Sequence, residues 1–336
     1  LRAARGEIQP LAALQEEERI MSTATASVTP VAKSGGRYAR REAILFYICI
    51  APFILGFILF DLIPMLTSLG LSFTQWNILS PPKFIGLQNY IMAFKDPKVL
   101  ISLRLTTFYT LVQVPLRLAV ALMLAVLLNE ATKGVGIFRT AFYLPSIVSA
   151  VAIAVLWTWI LNPVYGPVNG VIRFFGGEGP KWFSDPKYAL WGIIMMSPWG
   201  AGGEMLIFLA GLKGIDKQLY EAAQLDGAGP VSRFFRITLP MLSPTLFFNL
   251  VMTIIGSFQT FDTAYVISTT RAGTLGGPAN STLFYMLYLY NRAFAGQQMG
   301  YASALGWILF VILFVIILLV LRSTDLWVFY ESERKN

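Results

Sequence analysis

"EAAQLDGAGPVSRFFRITLP", residues 221–240, interrupts a chain built mostly of long apolar runs. Residues 215–229 can form a short helix. Glu221 and Asp226 make it acidic, while Ala222, Ala223, Gly227, Ala228 and Gly229 permit close approach and Pro230 limits its continuation. "VSRFFRITLP" can form a second short helix, with Phe234 and Phe235 against the membrane and Arg233 and Arg236 near the headgroups. Pro240 then suits a turn or the first positions of the next helix. Such a pair of helices fits a partner's groove or an ordinary amphipathic loop. The choice depends first on which side of the membrane it faces.

Only 13% of the 336 residues are charged and 56% are hydrophobic, with a mean hydropathy of +0.62. A soluble domain carries about 25% charged residues. The apolar residues fall in blocks separated by turn-rich sequence, as several membrane spans require. Six segments, near 43–65, 106–128, 141–161, 189–211, 243–266 and 302–321, approach the roughly 20 residues that let an α-helix cross about 30 Å of hydrocarbon. Nothing alternates like an outer-membrane strand. The expected fold class is therefore an all-α membrane protein with six transmembrane helices. A polar tail over 1–42 precedes the six-helix domain, 43–321, and a short tail over 322–336 follows it. Residue 1 is leucine and Met21 opens "MSTATASVTP", so the first 20 residues are expected not to be the natural start.

Charge orients the spans. With a cytoplasmic N-terminus, sixteen lysines and arginines fall inside and nine outside, while Arg117 lies within a span. The positive-inside bias then places both termini, and residues 221–240, in the cytoplasm. The outward loops "SFTQWNILSPPKFIGLQNY" (72–90) and "LNPVYGPVNGVIRFFGGEGPKWFSDP" (161–186) are rich in turn formers and aromatics. They fit an interfacial aromatic belt or a docking surface for a soluble protein. "TTRAGTLGGPANST" (269–282) is a further outward loop, and 283–301 can lie at the interface. The net charge of +8 needs no nucleic acid, because the basic residues form no dense stripe. One cysteine, Cys49, and no histidine exclude an intrachain disulfide framework, histidine-zinc sites and Ser-His-Asp triads. No catalytic constellation and no metal site is expected.

"EAAQLDG", followed by nine residues and "ITLP", resembles the EAA signature of binding-protein-dependent ABC importer permeases, carried here by Glu221, Ala222, Ala223, Gly227, Ile237, Leu239 and Pro240. From about residue 43 onward the chain resembles their carbohydrate-uptake subfamily, which includes maltose-system and glycerol-3-phosphate-system permeases. "FIGLQNY" (84–90), "FYLPSIVSAVAIAVLWTWILNP" (142–163), "SFQTFDTAYVIS" (257–268) and "GGPANSTLFYMLYLYNRAF" (276–294) carry that wider similarity.

The resemblance implies a cytoplasmic EAA coupling helix between helices 4 and 5, in a bacterial or archaeal cytoplasmic (inner) membrane. Glu221, Ala222, Ala223, Leu225, Asp226, Gly227, Ala228 and Gly229 would contact an ATP-binding subunit. Glu221 would serve as an acidic contact or a cap, and Gly227 would permit a tight turn. Ile237, Leu239 and Pro240 would anchor the unit to the bundle. The implied partners are two ATP-binding subunits, a second permease subunit (a different chain in the family) and an extracytoplasmic substrate-binding protein delivering a sugar or related polyol. No GxxxxGK[ST] phosphate loop occurs, so ATP and Mg belong to the partner subunits and this chain is a translocation subunit, not an enzyme. Other readings are a permease for a glycerophosphodiester or an opine-like solute, and a passive channel or ion-coupled transporter.

Ionisable groups inside spans are costly and commonly face a cavity or one another. Arg117 and Glu204 meet that description, with Asp61 and Asp262 nearer the outer ends of their spans. Hydroxyls, amides and aromatic faces suit sugars, which selects Trp199, Glu204, Ser257, Gln259, Thr260 and Tyr265 as path candidates. The same residue types also suit helix–helix packing.

Overall fold

A computed structural model of the chain describes residues 36–130, 134–269 and 275–329. Expectations for most of the N-terminal tail, for part of the loop 269–282 and for residues 330–336 lie outside the described residues. The chain divides into two units, Leu1–Leu66 and Thr67–Asn336. The first contributes most of an apolar helix, α1 (Arg40–Ser72), which widens to a π-helical turn at Phe57–Leu62. Pro64 follows that turn. A proline ring crowds the carbonyl four residues earlier, and a wider turn relieves the crowding.

In the second unit a two-residue hairpin pairs Thr74–Gln75 with Lys83–Phe84. Buried Asn89 holds its base, donating to the carbonyls of Ser72 (2.8 Å) and Thr74 (2.9 Å). Asn89 lies on a short helix, α2 (Gln88–Lys95). Then come α3 (Pro97–Glu130), α4 (Val135–Ile147), α5 (Ala150–Ile160), α6 (Pro167–Phe174), α7 (Pro186–Met196) and α8 (Gly202–Gly214). The exposed helix α9 (Lys217–Leu225) precedes α10 (Ser243–Phe258), α11 (Asp262–Ile267), α12 (Tyr285–Tyr290) and α13 (Met299–Arg322).

Four helices among the described residues are long and apolar enough to span a membrane: Arg40–Ser72, Pro97–Glu130, Ser243–Ile267 and Met299–Trp327. Two bent pairs raise the number to six if each counts as one span. The segment expected as a straight span over 141–161 is broken: α4 and α5 meet at 99°. Pro145 sits in the last turn of α4, Val148 is extended, and Ser149 caps α5 by accepting from the Ala152 N–H. The segment over 189–211 bends by 43° after a 3-10 turn at Ser197–Gly200. Gly202 lets α8 start against α4, because a Cβ there would lie 2.4 Å from the Phe142 carbonyl oxygen.

Packing centres on α3. Val99, Ser102, Thr106, Tyr109, Thr110, Gln113, Val114, Leu118, Ala121, Ala125 and Leu128 are buried on it, at the three- and four-residue spacing of one helix face. That face enters all three apolar clusters of the unit. Thr106 accepts from the Tyr285 N–H (2.9 Å), which caps a helix whose Tyr285, Leu287 and Tyr288 are buried. Within the stretch 283–301, expected at the interface, α12 is thus packed inside the bundle rather than laid on its surface. Its aromatic and leucine side chains fill the space between α3 and α13, where Tyr285 donates to the Leu305 carbonyl (2.9 Å).

A polar clamp closes this end of the bundle. Asp96 accepts from the Tyr288 hydroxyl, from Tyr301 (3.1 Å) and from Arg292 (3.1 Å). Burial pushes the Asp96 carboxyl up, but the Tyr288 and Tyr301 hydroxyls, the Lys98 N–H and the Arg292 charge outweigh it and hold the group below its usual range. Burial and the Asp96 hydrogen bond push the Tyr288 hydroxyl up to about 12, keeping it a donor.

Asp96→Ala is expected to cost roughly 1–3 kcal/mol, the loss of hydrogen bonds to a charged group, read as a lower thermal midpoint of the detergent-solubilised protein. Because its folded pKa is depressed, the Asp96 contribution is complete at neutral pH and fades as pH falls below about 4. The midpoint difference between wild type and variant should therefore shrink in acid.

Candidate functional site

The EAA stretch forms a projecting helix followed by an anchored turn. Asp216 starts α9: its backbone is extended and its carboxylate accepts from the Gln218 N–H at 2.9 Å. The cap considered for Glu221 therefore belongs to Asp216. Glu221 stands mid-helix and exposed.

At the other end the Gly227 N–H donates to the Gln224 carbonyl (3.0 Å) and the Ala228 N–H to the Ala223 carbonyl (2.8 Å). This is the paired hydrogen-bond pattern of a glycine-terminated helix. Gly227 has φ +78° and nothing within 4 Å of where a Cβ would sit. Its backbone conformation, rather than a lack of room, requires glycine.

No residue of α9 is buried. Ala222, Asp226 and Gly229 are exposed, Ala223 and Ala228 are half-buried, and Leu225 is 91% exposed. Against that open surface stands a firm root. Ile215 is buried, Tyr220 packs beside it against the cluster containing Leu212 and Leu242, and the Tyr220 hydroxyl meets Thr238 Oγ1 at 3.0 Å. Pro230 begins the next turn of helix, which becomes π-helical over Phe234–Thr238. Ile237, Leu239 and Pro240 flank buried Thr238 and are themselves half-buried at the foot of α10. Phe234 is half-buried, and its ring meets exposed Phe235 edge-on. Sequence reading missed Asp216, Tyr220 and Thr238. Asp216 carried a readable signal, an aspartate directly before a helical run.

A second constellation lies where the helices break. The Arg117 guanidinium donates to the Gly200 carbonyl (2.8 Å) and pairs with Glu204 at 3.0 Å. It therefore straddles the bend between α7 and α8. A cavity of about 250 Å³ opens beside it, lined by Tyr109, Ser146, Val148, Ser197, Gly200, Thr260 and Thr263 among others. The break at Val148–Ser149, the bend at Gly200–Ala201 and the irregular turn at Thr260–Phe261 all meet this space. Non-helical backbone at such depth is tolerated where it lines a cavity or is buried in protein.

Of the path candidates, only Thr260 lines it. Ser257 is buried and donates to Thr110 Oγ1 (2.9 Å), holding α10 to α3. Glu204 neutralises Arg117, Gln259 is exposed at the end of α10, and Trp199 meets Trp157 edge-on. Tyr265 packs with Phe261 and Tyr290. Tyr109 and Ser197 lay outside the quoted motifs, and Ser146 and Thr263 lay inside 142–163 and 257–268 with nothing to single them out.

Residues 117–327 match the model of the family described as binding-protein-dependent transport system inner membrane component. The chain belongs to that family. It is therefore a multi-pass translocation subunit, a permease without an ATPase site of its own. The probable ABC transporter permease protein YesP of Bacillus subtilis is 47% identical over 302 residues, covering 89% of this chain and 96% of that protein. The lactose transport system permease protein LacF of Rhizobium radiobacter is 36% identical over 295 residues, covering 86% and 94%. A bacterial alginate ABC transporter, solved in complex with an alginate pentasaccharide-bound periplasmic protein, shares the fold, with a TM-score of 0.72, 23% identity and coverage of 84% and 95%.

The Arg117–Glu204 pair should behave as a unit. Either alanine variant leaves a charge without its partner inside the bundle. A double-mutant cycle on thermal stability is expected to return a coupling of roughly 1–3 kcal/mol, and a value near zero would mean that each group is satisfied independently.

Proposed function

We propose that this permease is one membrane half of an ATP-driven importer for a sugar or related polyol delivered by a soluble substrate-binding protein. Six spans cross the inner membrane, the two bent pairs counting as one span each, and both termini are cytoplasmic. A second permease chain completes the pathway, and two ATP-binding subunits supply ATP and Mg. The sugar assignment is supported by relatives named for lactose and arabinooligosaccharide transport. The structural neighbour carrying an alginate pentasaccharide-bound periplasmic protein favours the receptor.

The observation that carries the mechanism is the contrast within residues 216–242. The helix α9 is capped at both ends yet uncovered, and a leucine stands in solvent at its tip. Exposing such a residue on a rigid projection favours a partner's groove over an ordinary loop. In this reading Glu221–Gly229 seat in the ATP-binding subunit, and Ile237, Leu239 and Pro240 pass its movement into α10. The Tyr220–Thr238 hydrogen bond ties the moving part to the span.

The solute passes beside the 250 Å³ cavity. Its three helix breaks supply hinges, and Thr260 with Tyr109, Ser146 and Ser197 supplies hydroxyls for a polyol. Trp199, Glu204, Ser257, Gln259 and Tyr265 act behind or above that surface as wall and mouth.

Replacing Leu225 with aspartate, or Gly227 with valine, should cut receptor-stimulated transport by an order of magnitude or more in proteoliposomes of the whole complex. The Gly227 substitution forces a β-branched residue into the left-handed region, at a cost of about 1–2 kcal/mol. Solute capture by the free receptor should be unchanged. Tyr220→Phe should reduce transport per ATP hydrolysed while the ATP-binding subunits stay attached. Full coupled transport in Leu225→Asp and Gly227→Val alike would remove residues 221–229 from the coupling route.

A further inference from the structure

The end of the bundle that carries the Asp96 clamp holds a cavity of about 920 Å³ between the hairpin, α2 and the start of α13. Four glutamines, Gln75, Gln88, Gln297 and Gln298, reach its wall with Lys83 and Lys95. All six side chains are exposed and make no hydrogen bond or ion pair among the described residues. Asp96 also faces the cavity, but its charge is already matched by Arg292. The wall therefore offers amide donors and acceptors and two uncompensated positive charges.

The sequence around the cavity carries the same imbalance. Residues 72–105 hold Lys83, Lys95, Lys98 and Arg104 against one acid, Asp96. An excess of cations on the outward side runs against the positive-inside bias, so an anionic partner is called for. Of the lining residues Met92 is an exposed apolar side chain, and Ile78, Leu79 and Phe84, each next to a lining residue in the chain, are exposed as well.

The cavity also lies away from the aromatic side of its neighbouring helix. Tyr288 and Arg292, four residues apart, point toward the clamp, whereas the Tyr290 ring packs with Phe261 and Tyr265 and also with Phe294. A polar, basic hollow with an apolar rim beside the end of a span matches a lipid headgroup better than a soluble solute.

We infer that this cavity binds the headgroup of an anionic, glycerol-bearing phospholipid of the outer leaflet, with Lys83 and Lys95 on the phosphate and the glutamine amides on the hydroxyls. Its acyl chains lie along the exposed apolar rim and the adjoining span. The volume falls within the range of roughly 300–1,000 Å³ typical of small-molecule sites. This rests on the outward placement of residues 72–97 proposed above.

The test is native mass spectrometry of the full chain released from nanodiscs of mixed phosphatidylglycerol and phosphatidylcholine. Phosphatidylglycerol should be retained preferentially. Lys83→Gln and Lys95→Gln should each weaken retention roughly fivefold, the effect of about 1 kcal/mol per basic residue near an anionic surface. Lys83→Arg with Lys95→Arg should preserve it. Glycerol 1-phosphate should fail to displace the lipid; displacement would identify a soluble anion as the ligand and overturn the lipid assignment.

Equal retention of both lipids, or no effect of the glutamine pair, would also overturn the inference. So would a pair that spares lipid retention but abolishes receptor-stimulated ATPase, since the surface would then belong to the receptor. Topology is read separately, by labelling Gln88→Cys with an impermeant maleimide in a Cys49→Ser chain. Labelling from the cytoplasmic side alone would refute the outward placement and overturn the outer-leaflet assignment, whereas outward labelling with equal retention of the two lipids would overturn the headgroup site alone.

Discussion

One face of α3 is the constraint on which the second unit depends. Its buried positions recur every three or four residues from Val99 to Leu128, and each apolar cluster is assembled against part of that stripe. Small residues and hydroxyls within it, such as Ala121, Ala125, Thr106 and Thr110, let neighbouring helices approach closely and share hydrogen bonds. Arg117 interrupts the apolar series and cannot be left uncompensated inside a bundle. It reaches across to Gly200 and Glu204, so the charge on the central helix also fixes the bend in its neighbour.

The two candidate regions use this frame differently. The cavity beside Arg117 takes its walls from α3 and from three places where regular helix stops. Its shape is therefore sensitive to small rotations of the segments on either side of each break. The α9 projection draws only its root from the frame, through Ile215, Tyr220 and Thr238. In the proposed coupling role, a fixed root beneath an uncovered surface would let a force on α9 reach α10. The π-helical turn at Phe234–Thr238 lies between them, a geometry that recurs at functional sites in helices.

Much of the architecture was legible in the sequence because length and apolarity are what a bilayer demands of a helix. Four of the six apolar stretches are single long helices and two are bent pairs, whereas the helix expected over 215–229 ends earlier, at Leu225, where left-handed Gly227 terminates α9. Direction was less legible. Hydropathy gives the same signal for a straight span as for α4 and α5 meeting at 99°, although Pro145 and the capping Ser149 lay in view.

Partner choice was the other loss. Ser257 has the chemistry of a sugar ligand, yet Thr110 claims its hydroxyl from a position 147 residues away. Tyr285 and Tyr288 have the composition of an interfacial belt, yet they are buried because Thr106, the Leu305 carbonyl and Asp96 satisfy their polar groups. Contacts between residues so distant in the chain leave no local pattern to read.

The central claim is that the tip of α9 sits in an ATP-binding subunit. The most direct measurement is disulfide crosslinking from a single cysteine at position 225, placed in a Cys49→Ser chain and paired with cysteines scanned around the groove of the ATP-binding subunit in native membranes. The account predicts an efficient crosslink from position 225 that changes partner when nucleotide is bound. An active complex in which position 225 stays open to soluble maleimide throughout the ATP cycle, and never crosslinks, would contradict it.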